Sequence, residues 1–134
     1  MSSASRPQVL TNAKTGEEVI SLSGMTFTPP QPLGDMTFSI ASLWRQPETK
    51  ANSMLVRLTK GADPRHRHTH DFYLVVVEGQ IIHRTEGIDN AEEVVLGPGG
   101  YYFQPANTVH QDVCVSDTAL VFCALQGDGE TTYV

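Results

Sequence analysis

The chain has 134 residues, of which 40% are hydrophobic and 18% charged, with a formal net charge of −6. That length and composition fit one globular domain with its own core and exclude a disordered chain. The acidic balance excludes nucleic acid as the main partner: beyond Arg65 and Arg67, which flank histidines, there is no basic cluster.

Met1–Pro7 contains no apolar leader core, and no apolar run is long enough to span a bilayer, so the expectation is a cytoplasmic protein without a membrane partner. Residues 1–35 read as an extended arm, with a turn at Asn12–Gly16 and a helix-forbidding run, Pro29-Pro30-Gln31-Pro32. The arm is placed either along a neighbouring subunit or over the molecule's own barrel. From residue 36 to 126 the pattern changes to short alternating runs. Met36, Phe38 and Ile40 alternate with Thr37, Ser39 and Ala41; Met54, Val56 and Leu58 alternate with Leu55, Arg57 and Thr59. Lys60–Pro64 reads as a loop. Phe72–Val77 is a central strand, turned at Glu78-Gly79 into Gln80–Arg84. Gly87–Asn90 is a turn, Glu92–Leu96 a short strand, Gly97–Gly100 a loop and Tyr101–Gln104 a strand. Val113–Val115 and Leu120–Leu125 read as a closing hairpin, and 127–134 as a polar tail that frays apart from Tyr133-Val134. Many short strands with Gly/Pro turns predict an all-β sandwich or barrel.

Cys114 and Cys123 lack C-x-x-C spacing. A turn at Ser116–Thr118 sets Cys114 opposite about position 120, so both are read as free, buried thiols.

The chemistry is concentrated in Arg65-His66-Arg67-His68-Thr69-His70. Residues two apart in a strand share a face, so His66 and His68 aim into one space, and His70 joins them if the strand stays regular. Two such imidazoles are half of a divalent-metal site, and His110, just after a turn, is the obvious third ligand. His70 is left as a fourth ligand, a partner behind the ligands or an outward residue, with the non-ligand reading preferred. His83 is read as a wall or surface residue, and Arg65 and Arg67 as solvated.

These residues carry a resemblance to the cupin superfamily, small β-barrels with two metal-site motifs. Gly61, His66, His68 and Gly79 fill the first motif. Gly99, Pro105 and His110 fill the second, with Asn107 where a glycine is usual, a residue that tolerates the left-handed backbone. The resemblance implies a cupin-type antiparallel β-barrel (a double-stranded β-helix or jelly roll) with metal ligands His66, His68 and His110. Phe72 stands where the family's glutamate ligand would be. The resulting neutral three-histidine site, with the run Gly99–His110, looks similar to the branch holding the acetylacetone-cleaving dioxygenase and cupin anti-sigma domains.

The expectation is one divalent metal ion per chain, Fe(II) favoured over Zn(II), Ni(II) or Mn(II), with a small-molecule substrate. His70, Phe72, Tyr102 and Gln104 are the substrate-pocket candidates. A neutral ligand set leaves the metal's charge to an anionic, chelating substrate such as a diketonate, which points to dioxygenase-like C–C cleavage. The alternatives are a non-redox isomerase, cyclase, decarboxylase or lyase, and a non-enzymatic metal- or ligand-binding sensor. The arm and free sheet edges suggest a homodimer.

Overall fold

The computed structural model describes residues 6–85 and 93–134. Apart from a 3-10 turn at Leu22–Gly24, its regular elements are strands, all paired antiparallel. They are β1 (Val9–Asn12), β2 (Glu17–Ile20), β3 (Gln31–Leu33), β4 (Met36–Arg45), β5 (Asn52–Ala62), β6 (His66–His68), β7 (Phe72–Glu78), β8 (Ile81–Thr85), β9 (Val94–Leu96), β10 (Tyr101–Gln104), β11 (His110–Leu125) and β12 (Thr131–Tyr133). The expected turn at Gly87–Asn90 lies outside the described residues. No helix among the described residues is long and apolar enough to cross a membrane.

β1 and β2 pair only with each other, around the Asn12–Gly16 turn. The other ten strands form one sheet that closes around the core, in the order β10-β7-β11-β5-β4-β3, with β8 and β6 also joined to β11, β9 to β8, and β12 to β6. The period-2 pattern decides which side faces in. Met36, Phe38, Ile40, Met54, Val56 and Leu58 face one interior cavity. Ala41, Leu55 and Leu120 face outward but are also buried, because Met25 and Phe27 of the arm lie over them. Paired bonds between Thr28 and Ile40 fix the arm there, and the Arg57 guanidinium sits 4.4 Å above the Phe27 ring. The arm thus covers the barrel's own sheet. Each aliphatic side chain buried this fully contributes roughly 1.5–3 kcal/mol.

Lys60–Ala62, expected in a loop, extends β5 instead, and two larger expectations change. The closing hairpin does not form: Val113–Val115 and Leu120–Leu125 belong to a single 16-residue strand, β11. Its polar Ser116-Asp117-Thr118 segment makes an irregularity rather than a reversal, and the strand passes there from β8 to β7. Ser116 Oγ accepts from the Gln80 amide and donates to the Thr118 carbonyl, so the displaced polar groups stay paired. Gly79 permits the close approach. Its φ is 84°, and a Cβ there would lie 2.5 Å from the Thr118 carbonyl oxygen. Cys114 and Cys123 are free and buried, as expected, although on one strand.

The second change is the tail. It does not fray: it returns as β12 and pairs with β6, Thr131 opposite His68 and Tyr133 opposite His66.

Candidate metal centre

β6 is only three residues long, and its alternation puts His66 and His68 on one side with exposed Arg67 on the other. β11 begins at His110, paired in register with His66. The ring centroids of His66 are 4.8 Å from His68 and 4.3 Å from His110, and those of His68 and His110 are 5.1 Å apart. One nitrogen from each of the three lies within 4.8 Å of the others. Among the described residues, this is the group of three or more His, Cys, Asp or Glu side chains that could hold a metal ion. Asn107, at φ 65°, adopts the left-handed backbone expected of it and donates its amide to the His68 carbonyl at 2.7 Å, tying the second motif to the first.

The outer nitrogens show which edges are free. His66 Nδ1 lies 2.6 Å from the Pro64 carbonyl oxygen, and His110 Nδ1 lies 3.2 Å from that of Thr108. A carbonyl only accepts, so both Nδ1 atoms carry the proton and both Nε2 atoms present lone pairs. His68 Nδ1 lies 3.1 Å from Thr131 Oγ1. Among the described residues, His110 Nε2 is the buried side-chain polar atom without a hydrogen-bond partner. An orphan of that kind is costly to bury, and a metal ion satisfies it. Burial first, then His66 and His110, lowers the His68 pKa to about 4; burial and His66 lower that of His110 to about 4. Both are therefore neutral at pH 7, the form that ligates metals. The residues fit a divalent ion.

The imidazoles line a cavity of about 260 Å³ whose remaining wall is mainly apolar: Met36, Phe38, Met54, Leu74 and Val121 among others. Phe72 lines it too and stacks on His68 at 5.1 Å, so the position where cupins carry a glutamate is filled by a ring. Tyr102 also lines the cavity, its hydroxyl donating to Asp112 Oδ2 at 2.8 Å. His83 stacks on Tyr102 at 3.8 Å, with Nδ1 2.8 Å from Asp112 Oδ1 and Nε2 2.9 Å from Gln104 Oε1. His83 is thus a wall residue inside a polar chain.

Asp63 and Asp112 are the functional candidates that sequence reasoning missed. Both line the cavity, and the Asp112 amide donates to Asp63 Oδ1 at 2.9 Å. Burial and then the Asp112 carboxylate push Asp63 up to about 8. Burial alone would raise Asp112 as well, but its hydrogen bond and charge interaction with His83, helped by His110 and Tyr102, hold it below the ordinary carboxylate value. At neutral pH the pair therefore carries its charge on Asp112 and a proton on Asp63. Burial and then Asp112 raise the Tyr102 phenol well above its ordinary pKa, so it stays a donor.

Two pocket candidates fall elsewhere. Gln104 shares the inward face with Tyr102 but sits behind it, buried against His83 and away from the cavity lining. His70 lies beyond the end of β6, where the chain bends and the alternation stops. Its Nδ1 is 3.2 Å from Thr69 Oγ1, and its ring packs so closely on Gly127 that a Cβ there would come within 2.8 Å of it. The signal for Asp112 was present: it stands two residues after His110 in a β run, hence on the same face. Thr131 and Tyr133 line the cavity through a long-range pairing that has no local signature.

Residues 15–127 match the model of the ChrR cupin-like domain. The chain belongs to that family. Solved structures of the same fold surround this ChrR cupin-like chain. One comes from the DMSP lyases RdDddP and RnDddQII, with a TM-score of 0.65 and 18% identity over 83% of this chain, which spans 63% of that one. Another, described as ethanolamine utilization protein Q of Salmonella typhimurium, gives a TM-score of 0.70 and 18% identity over 89% of this chain and 92% of that one. A third, described as a sugar phosphate isomerase from the cupin superfamily of Silicibacter pomeroyi, gives 0.63 and 20% over 85% and 80%. At such identities the likeness is one of fold. No curated protein matches the chain in sequence.

Proposed function

We propose that this cupin is an enzyme that cleaves a small chelating organic compound of the diketone or enol type, in the manner of a dioxygenase, at a metal held by His66, His68 and His110. The observation that carries the reading is the convergence of three imidazole edges, with His68 and His110 kept neutral, on an apolar cavity with Phe72 at the position where the family resemblance puts a glutamate. A divalent metal there would supply Lewis-acid activation and, as Fe(II), electrons for reaction with O₂. The chain supplies the rest. Phe72, Met36 and Val121 hold an apolar carbon skeleton and exclude water. The uncharged ligand set selects an anionic substrate head, since no carboxylate ligates in its place. The cavity size favours a compact substrate.

The test is O₂ uptake by Fe(II)-loaded protein across a panel of β-diketones and catechols. Uptake that requires both iron and one class of chelate is expected. An iron-filled protein that consumes no O₂ with any of them would sink the dioxygenase reading.

A second, non-redox reading is favoured by one feature. Asp63, protonated at neutral pH and lining the cavity, is a ready general acid for lyase or isomerase chemistry. The lyase and isomerase descriptions of two structural neighbours are in keeping with it. Turnover of an enolisable substrate by Zn(II)-loaded protein without O₂ separates this reading from the first.

A further inference from the structure

The three imidazoles are not held in the same way. His66 and His110 each have Nδ1 against the carbonyl of the residue two positions earlier, Pro64 and Thr108. Those bonds are local and come with the strand entry itself. Among the described residues, His68 has no such backbone partner for Nδ1; its neighbour is Thr131 Oγ1, at 3.1 Å and 63 residues away in sequence. It is also the least buried of the three. Left alone, a partly buried imidazole samples both tautomers and more than one ring orientation, and only the form with Nε2 unprotonated can ligate.

We propose that Thr131 is the positioning residue of the metal site. Its hydroxyl oxygen accepts a hydrogen bond from the Nδ1–H of His68 and thereby fixes the tautomer and aim of the third ligand. The inference rests on the proposed metal site and deepens it. Thr131 is brought there by antiparallel register, because directly opposed residues project to the same side of the sheet. The strand carrying it is fastened at several points. The Thr69 amide donates to the Glu130 carbonyl at 3.1 Å, the Glu130 amide to Thr69 Oγ1 at 2.9 Å, and the Val134 amide to the Arg65 carbonyl at 2.9 Å. The preceding turn is set by Gly127 on the His70 ring and by a two-pronged Arg45–Asp128 contact at 2.6 and 2.8 Å. This gives His70 a task consistent with its place outside the cavity: it seats the turn that delivers Thr131.

The experiment compares wild type, Thr131→Val and Thr131→Ser. Valine keeps the shape and β-branching and removes the acceptor; serine keeps the acceptor. Zn(II) affinity is measured by competition with a chromophoric chelator, the Co(II) absorption bands are recorded, and the His68 tautomer is read by ¹⁵N NMR on metal-free protein. The valine variant is expected to bind Zn(II) about 10- to 100-fold more weakly, with altered Co(II) bands and a mixed His68 tautomer, while serine restores all three. Wild-type affinity, bands and tautomer in the valine variant overturn the inference and leave the metal site standing. Failure of wild type to bind either ion overturns both. The tautomer measurement decides the case even if valine alters the packing of β12, because serine then reproduces the wild-type spectrum only if the acceptor matters.

Discussion

The barrel interior holds two groups of polar side chains, and they are built on opposite principles. In the chain Tyr102–Asp112–His83–Gln104, the hydroxyl, both carboxylate oxygens and both ring nitrogens of His83 have partners. In the group His66–His68–His110, the outer nitrogens are paired while the inner edges face one another, and His110 Nε2 has no partner at all. The two groups are adjacent, with the His83 and His110 ring centroids 5.6 Å apart. A satisfied network rigidifies a wall; an unsatisfied one waits for a ligand. Histidine content alone therefore identifies nothing: the state of each nitrogen does.

The sharpest way to break this contrast is to remove one member from each group. His110→Ala is expected to weaken Zn(II) binding by more than about a hundredfold, since loss of a ligand exceeds the loss caused by an outer partner. Equal metal content in wild type and variant by elemental analysis would contradict the assignment. His83→Ala should do the reverse. Zn(II) affinity should stay within a few-fold of wild type, whereas stability in urea should drop by about 1–3 kcal/mol, because Asp112 and Gln104 lose a buried partner. A stable His83→Ala variant that no longer binds metal would show that the two groups act as one.

The smallest effect concerns pH in the metal-free protein. His68 and His110 have folded pKa values of about 4 against an ordinary 6.5, so between pH 6.5 and 4 the unfolded chain takes up two protons that the folded chain refuses. Their contribution to stability is present above 6.5 and lost as pH falls towards 4. Asp63 has the opposite sign. Raised from 3.8 to about 8, it holds a proton in the folded state that the unfolded chain gives up, so its contribution is lost as pH rises towards 8. Two histidines outweigh one aspartate between pH 4 and 6.5; from 6.5 to about 8 Asp63 acts, and beyond that the raised Cys114, Cys123 and Tyr102 add to the decline. The Tm of chelator-treated protein should peak near pH 6.5 and fall by a few degrees on either side. Asp63→Asn should remove the decline between pH 6.5 and about 8; persistence of the decline in that window would assign it elsewhere.

Much of this was legible because it is local. Alternation along Met36–Ile40 and Met54–Leu58 revealed the inward faces, and the two-residue spacing of His66 and His68 showed a shared direction. Phe72 in place of a carboxylate was visible as a substitution within a motif. What stayed hidden depends on the whole chain. The polar Ser116–Thr118 segment looks like a turn to any local rule, and only Gly79 and Gln80 of the distant β7–β8 turn make it a kink in β11. The tail reads as polar and expendable because nothing within it announces that it will pair with β6. Asp63 had no periodic signal; its raised pKa follows from burial in the closed barrel and then from Asp112, 49 residues away in sequence.

β11 also has a kinetic meaning. One strand pairs with β5, β6, β7 and β8, so almost no part of the barrel can close before it is in place. Chains built from such distant pairings cross their folding barrier slowly, on the scale of milliseconds to seconds, because loop entropy is lost before contacts compensate. The histidine cluster needs β6 and β11 together. An ion held there would bind only once the two strands have met, so it would slow opening and leave the rate of closure unchanged, a lock rather than a seed.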